Sequence, residues 1–343
     1  MTRIAVWPVW LVWFVSLLAV PANPHAQGAT GGPSERGPAC QPPFNVGFQV
    51  VTVAEHPKMA TWYPTADPEA PFQYFPTVKG AVARGGSPAD CGRFPLIVFS
   101  HGWTGCATQS TFFTEELARH GYVVAAPDHT DALCSADGSL SPRFISPDVS
   151  FSRPELWNDS THADRRTDVR RTIEWMLQAI LFRNQIDPDK IGAVGHSLGG
   201  YTVLGVAGGW QSWTDDRIKV ALLFAPYAAP FLVHDRLASV AVPVMYQSAD
   251  GDVLITPSAV RNAYERSRAA KYYARLHGGT HLDWTNILCV GTLRIADCLA
   301  SRPNARLINA YAFAFLDRYV KGQPQALRRL DGAGLEDYRS MAP

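Results

Sequence analysis

From residue 94 onward the chain alternates short, largely apolar runs with longer stretches of helical spacing. The apolar runs are "FPLIVFSHG" (94–102), "YVVAAPDH" (122–129), "KIGAVG" (190–195), "KVALLFAP" (219–226), "VPVMYQSAD" (242–250) and "KYYARLHGG" (271–279). A run that is apolar on both faces is the pattern of a strand buried within a parallel sheet. Between them stand "QSTFFTEELARHG", which stops at Gly121, then "HADRRTDVRRTIEWMLQAILFRN", "LGGYTVLGVAGG" and "SAVRNAYERSRA". A last amphipathic stretch, "ARLINAYAFAFLDRYVKG", closes the series. Strands that alternate with helices predict an α/β protein with a mostly parallel central sheet and helices on both faces. In the stretch 162–184, Val169, Ile173, Met176, Leu177 and Ile180 share one side, and the arginines of 165–171 read as a solvated face.

Upstream, "FQVVTVAE" (48–55) and "MATWYPT" (59–65) predict a hairpin, and the Pro- and Gly-rich residues 66–93 read as loop. Residues 131–160 form a long polar loop containing Phe144, Phe151 and Trp157. No repeat or interdomain linker interrupts the pattern, so residues 44–343 are expected to form one domain. In front of it, Arg3 precedes an apolar run over residues 4–20 and small residues at Ala22 and Ala26. This predicts a signal peptide over 1–26, with an uncleaved anchor as the alternative, and a linker over 27–43. The expected location is therefore secreted or periplasmic, with no stable membrane span after cleavage.

The chain has 343 residues, 47% of them hydrophobic and 18% charged, and a formal net charge of +1. That composition fits a globular domain and gives no electrostatic reason to expect nucleic acid as a partner. A monomer is expected. Six cysteines in an exported chain suggest three disulfides, for which fifteen pairings exist. Cys289 with Cys298, Cys106 with Cys134, and Cys40 with Cys91 is the expected set. No Cys/His spacing points to zinc, and neither a metal nor an organic cofactor is expected.

The chemistry begins at "Gly195-His196-Ser197-Leu198-Gly199". A serine on a sharp strand-to-helix turn projects its hydroxyl above a sheet, and crowding at such a turn requires glycine two residues before and after. A hydroxyl needs a base to become nucleophilic. His281 follows the last apolar strand and a Gly-Gly turn, while its rival His277 falls inside that strand. An acid must hold the base, and "QSADGDVLITP" offers Asp250 and Asp252. Asp252 is favoured because it lies further into the loop. The oxyanion donors are the N–H of Leu198, which opens the helix, and that of Trp103 in "HGWTG". The Trp103 indole is expected to line the substrate pocket. His196 reads as structural support, and Asp128, His129 and Asp131 as loop hydrogen-bonding groups.

In order and spacing these residues resemble the α/β-hydrolase superfamily over about residues 44–320. "VFSHGWTGCATQSTFFTEELARHGYVVAAPDHTD" is similar to the platelet-activating-factor acetylhydrolase family. "GWTGCATQS", "GHSLGGYT", "APY", "VPVMYQSADGDVLITP" and "GGTH" resemble the bacterial cutinase and polyester hydrolase family. In the acetylhydrolases the acid follows the strand after the nucleophile helix, but here "VALLFAPYAAP" carries no carboxylate. The acid at Asp252 matches the cutinase-like pattern. That resemblance implies an α/β-hydrolase fold, a serine esterase acting on short-to-medium acyl esters or polyesters, and a substrate contact at Tyr227. Acetylhydrolase-like or lipase activity is the alternative. Acyl transfer to an alcohol and a non-catalytic binding role are rivals from other classes, and the intact Ser, Asp and His set argues against the last.

Overall fold

The computed structural model describes residues 40–52, 58–74, 78–140, 149–292 and 294–342. The expected signal peptide, all of the linker before Cys40, residues 53–55 of the first expected strand, and Phe144 lie outside the described residues. The strands are β1 (Asn45–Val51), β2 (Met59–Thr65), β3 (Ala70–Tyr74), β4 (Val78–Arg84), β5 (Phe94–Ser100), β6 (Val123–Pro127), β7 (Ile186–His196), β8 (Ile218–Phe224), β9 (Val244–Ala249), β10 (Lys271–Leu276) and β11 (Asp337–Met341). They form one sheet in the order β11-β10-β9-β8-β7-β5-β6-β2-β1-β4-β3. The stretch from β6 to β10 in that order is parallel throughout, as the apolar runs predict. The β1–β2 hairpin joins it antiparallel to β6.

Side-chain alternation along each strand feeds two cores. In β5, Ile97 and Phe99 enter one core while Leu96 and Val98 enter the other. In β8, Val220, Leu222 and Phe224 take the first side, and Ala221 and Leu223 the second. This is why those runs show no polar face. Helices α1 (Thr111–Arg119), α6 (Ile295–Ser301) and α7 (Pro303–Tyr319) cover the first face. Helices α2 (Ala163–Gln178), α3 (Leu198–Leu204) and α5 (Pro257–Arg266) cover the second, with a short α4 (Ala229–Val233) beside them. Each fully buried aliphatic residue contributes roughly 1.5–3 kcal/mol. Helix α1 ends where the pattern predicts, because Gly121 takes φ +80°, a left-handed value that suits glycine. Among the described residues no helix is long and apolar enough to cross a membrane.

Three expectations are corrected. Residues 66–93 are not merely loop, since they contain β3 and β4. Pro71 disguises β3, but β3 is the outermost strand, where a missing N–H is tolerated. Gly80 disguises β4, and it is glycine because a Cβ there would meet Glu115 Oε1 at 1.7 Å. Helix α2 stops at Gln178, so Ile180 is 85% exposed instead of on the apolar side. Arg165 is not solvated at all, for it is completely buried. The polar edge strand β11, antiparallel to β10, had no sequence signal strong enough to be read. All three expected disulfides form: Cys40–Cys91, Cys106–Cys134 and Cys289–Cys298.

Glu115 lies buried in α1 against β4, and burial pushes its carboxyl up to about 8 from 4.5. Between those pH values the folded protein keeps a proton that the unfolded chain has lost. This group therefore lowers stability as pH rises from about 4.5 to about 8. Glu115→Gln is expected to leave the melting temperature nearly unchanged at pH 4.5 and to raise it at pH 8, by roughly 2–4 °C per kcal/mol relieved. Calorimetry at the two pH values checks this; an equal shift at both would contradict it.

Candidate active site

Ser197 stands between the end of β7 and the start of α3 with φ 55° and ψ −115°. A non-glycine residue in that region carries about 1–3 kcal/mol of strain, held here by its surroundings. Its N–H donates to Phe224 O at 2.9 Å, and its carbonyl accepts from Tyr227 N at 2.9 Å. The turn is wedged against its neighbours. A Cβ on Gly195 would meet Gly199 O at 2.2 Å, and one on Gly199 would meet Ser100 O at 1.9 Å. Only glycine fits at either position, which is the physical content of the Gly-x-Ser-x-Gly spacing.

His281 lies in the turn after β10, and its Nδ1 faces Asp252 Oδ2 at 2.8 Å. The other oxygen of Asp252 accepts the N–H groups of Leu254 at 2.9 Å and Ile255 at 2.8 Å. A carboxylate so engaged only accepts, so the His281 proton sits on Nδ1 and Nε2 keeps its lone pair. Asp250 does something else. It accepts from Gly278 N at 2.6 Å and lies 3.2 Å from the exposed His277. Gly251 N donates to Gly279 O at 2.9 Å, so the loops that carry Asp252 and His281 are stitched together directly.

Ser197 and His281 both open onto a cavity of about 740 Å³ whose walls are mainly apolar. Trp103, Phe151, Tyr227, Leu254 and Ile287 contribute to the lining. Asp252 does not line it but lies behind His281. Leu198, the first residue of α3, is buried beneath the serine. The Trp103 and Phe151 rings meet at 5.5 Å, and Tyr227 donates its hydroxyl to Phe151 O at 2.6 Å. Trp157 is fully buried against Tyr227, so the described end of the long loop is packed. Cys134, in the same loop, ties it to Cys106.

His196 connects three loops. Its Nε2 donates to His281 O at 2.9 Å, so in the neutral ring Nδ1 must accept, here from Gln109 Nε2 at 3.1 Å. Burial, and then His281, depress its basicity to a pKa of about 3, which keeps the ring neutral. The oxygen of Gln109 accepts Gly102 N at 3.0 Å. Asn286 further clamps the segment after His281 by accepting Thr111 N and donating to Thr108 O. Asp128 binds loop N–H groups at Ala107 and Ala136, as the sequence reading anticipates. Gln109 and Asn286 were not found from sequence, because an amide seven residues past Gly102 or five past His281 has no local pattern.

The profile of the family described as platelet-activating factor acetylhydrolase, isoform II, matches residues 74–141. The guinea-pig (Cavia porcellus) platelet-activating factor acetylhydrolase is 24% identical over an alignment of 276 residues that covers 69% of this chain and 60% of that protein. Cutinase 1 of Thermobifida cellulosilytica is 25% identical over 267 residues, 75% of this chain and 82% of that protein. A cutinase of Thermobifida fusca is 25% identical over 267 residues, covering 75% and 72% respectively. The chain thus spans less than two thirds of the mammalian relative and most of the length of the bacterial ones. The parallel sheet, the serine turn after β7 and these similarities together show an α/β-hydrolase fold, with likeness to both the bacterial cutinases and the platelet-activating-factor acetylhydrolases.

Proposed function

We propose that this protein is a secreted serine carboxylic ester hydrolase with cutinase-like specificity for short-to-medium acyl esters or polyesters. The observation that carries the reading is the convergence of Ser197 and the Asp252-held His281 on one apolar cavity. Ser197 Oγ attacks the ester carbonyl while His281 Nε2 takes its proton. Asp252 stabilises the resulting imidazolium through Nδ1–H. The N–H groups of Trp103 and Leu198 receive the tetrahedral oxygen. Collapse expels the alcohol with the proton from His281, and water then releases the acid from the acyl-serine by the same steps. Apolar walls at Trp103, Phe151 and Tyr227 suit an acyl chain or an aromatic polyester unit. The acid position supports the cutinase-like reading over the acetylhydrolase one, since β8 is followed by Ala225, Pro226 and Tyr227 with no carboxylate.

With p-nitrophenyl esters of increasing acyl length, the mature protein is expected to turn over short and medium chains. Ser197→Ala is expected to lose about 10⁴–10⁶ in kcat with its fold intact. Full activity in that variant would end the reading. The two carboxylates separate in a second comparison. Asp252→Asn should cost on the order of 10⁴ in kcat, the scale for a misheld base, whereas Asp250→Asn should stay within a fewfold of wild type. Steady-state kinetics on both variants decide it, and the opposite ranking would transfer the acid role to Asp250.

A further inference from the structure

Behind the oxyanion loop, on the side away from the cavity, Arg165 of α2 is completely buried. Its fork grips Asp131, with Nη2 at 2.7 Å from both carboxylate oxygens and Nε at 3.2 Å from Oδ1. The remaining donor capacity goes to the loop itself. Nη1 donates to His101 O at 2.8 Å and to Ser100 Oγ at 3.4 Å, and Nη2 reaches Gly102 O at 3.3 Å. Burial alone would raise the carboxyl of Asp131, but Arg165 and then His101 hold it well below the usual carboxylate range. The pair is therefore ionised and neutral overall.

The Gly102 carbonyl shares its peptide plane with the N–H of Trp103. In a trans peptide the two point in opposite directions, so holding one aims the other. Three donors hold this carbonyl: His101 Nδ1 at 2.7 Å, Gly105 N at 3.0 Å and Arg165 Nη2 at 3.3 Å. On its opposite side Gly102 lies against the nucleophile, since a Cβ there would be 3.4 Å from Ser197 Cβ. A guanidinium on the carbonyl also polarises the plane and makes its N–H a stronger donor. For the fold alone, an apolar pair of similar volume often serves as well as a buried ion pair.

A second Ser–His–Asp chain lies beneath. Ser100 Oγ is 2.8 Å from His129 Nε2, and His129 Nδ1 is 2.8 Å from Asp168 Oδ2. All three are buried and none lines the cavity, so this chain braces the ends of β5 and β6 against α2 and does not offer a second nucleophile.

We propose that Arg165, seated on Asp131, is the positioning residue of the oxyanion hole, aiming and polarising the Trp103 N–H through the Gly102 carbonyl. The inference rests on the serine-hydrolase reading above. Its test uses the full mature protein with a p-nitrophenyl butyrate substrate, an alkylboronic acid as transition-state analogue, and two variants. Arg165→Lys keeps the charge for Asp131 but loses the fork. Arg165→Met with Asp131→Leu removes the ion pair as a unit, a change that is often neutral for stability. Losing one oxyanion donor typically costs about 10²–10³ in kcat, and a misaimed one is expected to cost about 10-fold or more. KM should stay within about twofold, and boronate affinity should fall by the same factor as kcat.

A spectroscopic signature accompanies this. Gly-Trp occurs only at Gly102-Trp103 and Gly209-Trp210. Protein labelled with ¹³C-carbonyl glycine and ¹⁵N-tryptophan thus gives two carbonyl–amide signals. The Gly102–Trp103 signal should move in Arg165→Lys while the Gly209–Trp210 signal stays. Folded variants with wild-type kcat and boronate affinity would overturn the proposal. So would failure of both variants to fold, which would make Arg165 a determinant of the core. Activity that survives Ser197→Ala would instead remove the reading beneath it.

Discussion

Everything at the site hangs on how closely three backbones approach at the ends of β5, β7 and β8. Gly199 packs so near the Ser100 carbonyl that no side chain could stand between them, and Gly195 is pressed equally hard against Gly199. The strain in Ser197 is sustained by that wedge. Its amide is held by Phe224 on one side, and its carbonyl by Tyr227 on the other. Loosening any of the three strands would let the serine relax into an ordinary turn and withdraw its hydroxyl from the cavity. The glycines act as spacers that set the distance between the sheet and Ser197.

Around this wedge the loops are joined by polar groups that belong to no single loop. His196 reaches the carbonyl of His281, and Gln109 reaches both His196 and the segment at Gly102. The links have unambiguous directions because each histidine in the set is buried and neutral or has a fixed partner. Such a closed network is costly if half satisfied and rigid when complete. The arrangement gives a pre-set site on loops that would otherwise be free to wander, with the Cys106–Cys134 bridge closing the outer rim.

Much of this was legible in the sequence where the determinant is local. The serine turn could be read because strand, turn and helix are contiguous, and the parallel sheet because its strands face two cores. Asp252 and Asp250 could not be separated by position alone, since two carboxylates two residues apart differ only in what they meet across the loop. Arg165 was misread because helical spacing assigns charge to the solvent side, and only the third dimension supplies a buried carboxylate to receive it. Strands β3 and β4 were missed for a related reason. The proline and glycine that usually end strands are permitted there by an unpaired edge and by a side chain pressing in from α1.

The connectivity of the cysteines bears on how the molecule is made. The first pairs with the second, the third with the fourth and the fifth with the sixth, with spans of 51, 28 and 9 residues. No bridge encloses or crosses another. A chain delivered N-terminus first into an oxidising compartment meets each correct partner as the next cysteine to emerge. Vectorial synthesis alone can then select one pairing out of fifteen, without later reshuffling of mispaired thiols.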